Sequence, residues 1–141
     1  MLWGISNSWK EKSNFELVCL KEKIEKFSLE WGKISFDGSA LRDIIFAEGK
    51  VIERNYDRIK EKYGTVHIVD ADEAKILLKG NPSEVIIGTG FEGLLKLDSD
   101  AQSILQQKTA MVVATSPQAI DLLNQKLKQK IRVNALIHTT C

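Results

Sequence analysis

Three short, largely apolar runs in the second half of the chain constrain the fold most: Val85 to Ile87, Ala110 to Ala114, and the stretch from Arg132 to His138. Runs this short and apolar read as strands buried on both faces, the usual state of parallel strands covered by helices. Helix-sized segments separate them. Asp98-Ser99 caps a helix over Ala101 to Lys108, and Thr115-Ser116-Pro117 places a cap and an early proline before a helix that reaches about Lys128. Upstream, Val66 to Val69 reads as a strand. Asp70 with Glu73 reads as the capped start of a helix running to Lys79-Gly80. Strand, helix, strand, helix, strand implies parallel pairing through right-handed crossovers.

The first half follows other rules. Ser13 and Glu16 have capping-box spacing, and Leu17, Leu20, Ile24 and Phe27 fall at helical intervals, so the pattern predicts an amphipathic helix over 14–27. From Leu29 the period changes to two, with a turn at Asp37-Gly38. Asp43 to Ala47 and Val51 to Arg54 read as strands joined at Glu48-Gly49-Lys50, a hairpin or meander. A short charged helix, Asp57 to Tyr63, stops at Gly64. The reading is a single α/β domain over 29–141, with a largely parallel mixed sheet, helices and a small N-terminal β meander. An extension over 1–28 carries the amphipathic helix.

Composition narrows the function classes. Hydrophobic residues at 43% and charged residues at 28% belong to a globular chain, and 141 residues suit one domain. Twenty Lys and Arg nearly balance 19 Asp and Glu, so global charge favours neither nucleic acid nor an anionic membrane. The clusters Lys21/Lys23/Lys26 and Lys126/Lys128/Lys130/Arg132 read as solvated helix faces. Cys19 and Cys141 build no disulfide framework. The chain shows neither a membrane-length apolar run nor a secretory signal, so the expected setting is the cytoplasm.

Candidate site residues sit where strands end. Gly88-Thr89-Gly90-Phe91-Glu92-Gly93 spells G-x-G-x-x-G, but Leu94 to Leu97 reads as extended where a dinucleotide fold opens a helix, and the next strand ends in Thr115-Ser116 without a carboxylate. Two readings remain: glycines that allow tight packing at a strand end, or loop amides that hold a small anion. Thr115 and Ser116 open a helix beside that loop, either as plain caps or as part of the same anion site. His138 and Cys141 are three apart. They read as structural or as a thiolate–imidazolium pair, and structural zinc lacks the ligands it needs. His67, between Val66 and Ile68, faces solvent or a cleft. Trp3 and Trp9 have no apolar pattern to bury them and suit an interface.

The segments YGTVHIVDADEAKILLKGNPSEVIIGTGFEGLLKL, ATSPQAIDLLNQKL and RVNALIHTTC resemble the adipogenesis-associated MTH-type domain family, which includes a mitochondrial NADH dehydrogenase (ubiquinone) assembly factor. The resemblance runs from about Trp31 to Cys141. It implies a three-layer α/β fold with helices on one face of a central mixed sheet and a small β element on the other. Gly88, Thr89, Gly90, Thr115, His138 and Cys141 match the family's motif positions, and Leu123 departs from the aromatic often found there. The family brings no catalytic residue and no cofactor. Complex assembly, the role attached to relatives, implies protein binding. The expectation is thus a non-enzymatic, assembly-factor-like module whose partner is met by the N-terminal helix with Trp3 and Trp9. The alternative is a small-molecule or anion site, or that of a small enzyme, at the carboxyl edge of the sheet. There Gly88, Thr89, Gly90, Gly93, Thr115 and Ser116 would supply the cradle, and His67 or His138 a proton.

Overall fold

The computed structural model describes residues 24–141. A five-stranded sheet crosses its centre. The strands are β4 (Ile44–Ala47), β5 (Lys50–Glu53), β7 (Glu84–Gly88), β9 (Ala110–Ala114) and β10 (Val133–Ile137). They lie in the order β5-β4-β10-β7-β9. β10 runs parallel to β7 and β7 parallel to β9, while β4 pairs antiparallel with both β10 and β5. The three apolar runs therefore lie side by side as the parallel half of the sheet. The Asp43–Arg54 hairpin adds the antiparallel half.

Two apolar layers sandwich this sheet because successive side chains on a strand point to opposite faces. On one face, Val85 and Ile87 of β7 and Leu136 of β10 pack with α2 (Ala71–Leu77) and α3 (Ser99–Lys108) through Ala74, Leu77, Ala101 and Leu105. On the other, Ile86, Ala135 and Ile137 pack with α4 (Ser116–Lys128) through Ala119, Ile120 and Leu123. This second face also receives a small antiparallel sheet of β1 (Ser28–Glu30), β2 (Lys33–Phe36) and β3 (Ser39–Leu41). The helices therefore do not share one face: α4 lies beside the small β element, the two together being needed to cover the strands there. Burying the β7 and β10 side chains on both faces supplies about 1.5–3 kcal/mol each of hydrophobic stabilisation.

Two further sequence expectations change. Residues 24–27 carry no helix, and the rest of the expected 14–27 helix lies outside the described residues. Phe27 is core: it is 1% exposed, packs against Phe36 and Phe46, and its amide and carbonyl are both bonded by the Asn124 side chain. The strand expected over Val66 to Val69 shortens to β6 (Ile68–Val69), which pairs with β8 (Lys96–Leu97) outside the main sheet. The carbonyls of Val66 and Ile68 are taken by the Arg54 guanidinium, which closes that side of the segment to a neighbouring strand. α1 (Tyr56–Tyr63) ends at Gly64 as expected, with the glycine in the left-handed region. No helix among the described residues is long and apolar enough to cross a membrane.

Candidate functional site

The carboxyl edge of the parallel strands gathers most of the expected residues, around the chain segment that follows β10. Gly88 ends β7, and Thr89 donates through both its amide and its hydroxyl to the Ala114 carbonyl at the end of β9. Ser116, at the start of α4, accepts from the Gly90 amide at 2.8 Å, donates its own amide to the Gly90 carbonyl, and donates its hydroxyl to the His138 carbonyl. Thr115 occupies the N-cap position but makes no side-chain cap bond. The helix start is instead locked to the glycine loop through Ser116. Beyond Gly90 the amides of Phe91, Glu92 and Leu94 donate to the carbonyls of Thr140 and Cys141 at 2.7 to 3.1 Å. Gly90 has φ +102°, and a Cβ there would overlap the Cys141 carbonyl and lie 2.8 Å from the His138 ring. Of the two readings of this loop, tight packing describes it: the amides that an anion would need are taken by the backbone of residues 140–141.

Behind that backbone lies a buried polar network. His138 is fully buried, and its Nδ1 sits 2.8 Å from Asp43 Oδ2. Asp43 Oδ1 accepts from the Thr139 amide and hydroxyl at 2.9 and 3.2 Å. Burial pushes the Asp43 carboxyl up, but its bonds to His138 and Thr139 and the charge of Arg54 outweigh that and hold it below the usual carboxylate range. An ionised carboxylate only accepts, so His138 Nδ1 carries the proton. In the neutral ring Nε2 is then an acceptor, and Thr140 Oγ1 lies 3.2 Å from it. Both ring nitrogens are engaged, and neither pairs with the Cys141 thiol: of the two readings, the thiolate–imidazolium pair is not formed. The His67 ring stands edge-on to His138 at 5.1 Å, and burial with the charges of His138 and Arg54 pushes its pKa below the ordinary value.

Arg54 anchors the network from the end of β5. Its five donors all find acceptors: Glu73 on Nε and Nη2 at 2.8 and 3.1 Å, Asp43 and the Val66 carbonyl on Nη1, and the Ile68 carbonyl on Nη2. Burial raises Glu73, with Arg54 opposing. A second pair extends the chain of charges: Arg58 grips Asp70 with two bonds, at 2.8 and 2.9 Å, while Asp70 caps α2 through the Glu73 amide. That grip holds the Asp70 carboxyl well below the usual range. One small domain thus buries Asp43, Arg54, Asp70, Glu73 and His138 together. Such groups are costly to desolvate singly and concentrate at functional sites.

A cleft of about 410 Å³ opens beside Asp43, lined by Arg42, Glu53, Asn55, Tyr56 and Asp57. The Arg42 guanidinium lies 4.4 Å from the Tyr56 ring centre, and the buried Tyr56 hydroxyl has no hydrogen-bond partner among the described residues. Burial and the Asp43 charge push that phenol up. Sequence reasoning missed Asp43, Arg54, Glu73 and Tyr56. The visible signal was a charge placed directly against an apolar strand: Asp43 before Ile44-Ile45-Phe46, and Arg54 after Val51-Ile52-Glu53. Trp3, Trp9 and Cys19 lie outside the described residues.

No family model matches the chain. No curated protein matches it. Solved structures do. A conserved hypothetical protein of Pyrococcus horikoshii, PH1505, is similar at 29% identity over 84% of this chain and 99% of its own, with a TM-score of 0.72. The protein MT938 is similar at 30% identity over 82% and 98%, with a TM-score of 0.68. A Bordetella pertussis protein described as a Mth938-like domain shares the fold at 15% identity over 88% and 90%, with a TM-score of 0.61.

Proposed function

The chain belongs to the Mth938-like family, and we propose that it is a protein-binding module whose contact surface is an aromatic rim at the carboxyl edge of the sheet. One observation carries this reading. Trp31 is 56% exposed, yet its ring lies 5.6 Å from that of Phe91, and Leu94, three residues further along the same loop, is 47% exposed. The loops that bear them are pinned to one backbone segment: the Gly32 amide donates to Thr139, that of Phe91 to Thr140, and that of Leu94 to Cys141. Rigid, exposed aromatics of this kind bind with little ordering cost and supply the central anchors of interfaces. Assembly-factor-like work in the cytoplasm is consistent with this reading, and Trp3 and Trp9 are proposed as further contacts to a partner.

Affinity capture tests it. Tagged wild-type chain should retain a defined partner from its native lysate in stoichiometric amount, and Trp31→Ala and Leu94→Asp should each lose it. A truncation test should stop at residue 23, because Phe27 is core. Wild type that retains nothing, or a partner indifferent to both substitutions, ends the reading.

A second reading is favoured by the line Thr140 Oγ1, His138 Nε2, His138 Nδ1, Asp43 Oδ2. A hydroxyl against an imidazole that a carboxylate orients is an arrangement suited to proton transfer. The ligand would be a small polar molecule in the cleft beside Asp43, with an acidic group met by Arg42, rather than one held by the glycine loop. Thermal unfolding against inorganic phosphate and simple carboxylates, with wild type beside Arg42→Ala, tests this. At about 100 times Kd a ligand adds about 2.7 kcal/mol. A flat panel for wild type removes this reading.

A further inference from the structure

The two edges of the central sheet are built differently. β5 bears Lys50 and Glu53, both exposed. Charges on an edge strand obstruct pairing with another chain. β9, the other edge, reads Ala110-Met111-Val112-Val113-Ala114, with no charge and no proline, and Val113 is 49% exposed. Register decides which backbone groups are free. The Ala114 carbonyl accepts from Thr89 across the ladder to β7, so Ala114 and, by alternation, Val112 turn their amides and carbonyls inward. Met111 and Val113 therefore turn theirs outward. Among the described residues no turn or loop backbone group bonds to either of them.

We propose that β9 pairs with β9 of a second copy of this chain, antiparallel and centred on Val112, to make one continuous ten-stranded sheet. The outward groups are self-complementary about that centre. Met111 and Val113 of one copy face Val113 and Met111 of the other, and two donors with two acceptors on each side complete four hydrogen bonds. The exposed Val113 side chain then packs over the partner's Met111, on the face that already carries the α3 core. Charge selects the same occupant: an uncharged strand has no electrostatic gain from a charged segment, whereas its own copy matches it in length and apolarity. Pairing β9 with the charged β5 edge of another copy would instead propagate as a fibre, while the two-fold pairing closes on itself.

Sedimentation of the full chain over a concentration series tests this, with three variants. Wild type should reach twice its 15.9 kDa mass. Val113→Pro removes an outward donor that the sheet does not use, and with one bond lost per copy it should weaken association by roughly 10- to 100-fold. Val113→Lys should do the same by charge, and it covers the case in which the proline variant misfolds. Val112→Cys should form an oxidised dimer through residue 112, identified by peptide mapping against Cys19 and Cys141, because non-hydrogen-bonded pairs bring side chains within disulfide reach. A wild type that stays monomeric throughout, a dimer that survives both Val113 variants, or a Val112→Cys dimer with no 112–112 bridge each overturns the proposal.

Discussion

Asp43 Oδ2 and His138 Nδ1 lie 2.8 Å apart with both side chains sealed from solvent. The pair joins the first residue of the hairpin to the end of the last strand, 95 positions away. Asp43→Asn keeps the shape and removes the charge that Arg54 and His138 face. Breaking a buried ion pair from one side costs about 3–5 kcal/mol. Urea unfolding should show a loss of that order, and a loss under about 1 kcal/mol would mean that the network is dispensable to the fold.

Arg54→Lys should be nearly as damaging although it conserves charge. An ammonium cannot reproduce a planar fork that reaches Glu73, Asp43 and two carbonyls at once. The expected loss is about 3 kcal/mol, and it should be partly relieved in the double variant with Glu73→Gln, because Glu73 is the group left unpaired.

Stability should fall as the pH drops below that of an ordinary histidine. The His67 pKa is depressed in the folded chain, so between its folded and unfolded values the unfolded chain binds more protons, and acidification favours unfolding. The Asp43 shift works at lower pH: its depressed carboxyl stabilises the fold above the unfolded pKa, and that stability is lost as the pH falls through the folded value. Unfolding followed from mildly alkaline pH downward in wild type and His67→Gln separates the two. The variant should lose the upper limb of the decline and keep the lower one.

Three glycines should rank by what their Cβ would meet. Gly90→Ala combines φ +102° with overlap of the Cys141 backbone, so it should cost the most, about 3 kcal/mol or more. Gly88→Ala meets the Ser116 hydroxyl at 2.9 Å and Ile137 Cδ1 at 3.0 Å, contacts that side-chain movement relieves in part. Gly93→Ala, with φ +74° and only an ordinary contact to Thr89 Oγ1 at 3.7 Å, should cost only about 1 kcal/mol. Thermal midpoints in that order check the close approach at residue 90; equal losses would contradict it.

Local pattern made the parallel strands, the helices between them and the glycine turn legible. The apolar runs of β7 and β9 have no other stable use, and Asp70, Asp98 and Gly64 cap helices where their spacing says they should. What stayed hidden depends on pairing across the chain. Nothing near Phe27 announces that Asn124 will take both of its backbone groups, and the helical spacing shared by Leu20, Ile24 and Phe27 pointed the other way. Nor does an isolated Arg54 at a strand end show that it will be sealed among Asp43, Glu73 and two carbonyls. The adjacency of two parallel strands implies that the glycine loop lies beside Ser116, and it does. Its amides were open to a ligand only so long as the path of residues 139–141 was unknown.

The strand order has a consequence for the chain as it is made. β10 follows the other four strands of this sheet in the chain, yet it occupies the middle, between β4 and β7. Until residues 133–137 emerge, the nascent chain holds two separate ladders, β4–β5 and β7–β9, each with an apolar edge open to the cell. The time that translation takes from β9 to β10 sets how long those edges wait for their shared neighbour or for a chaperone.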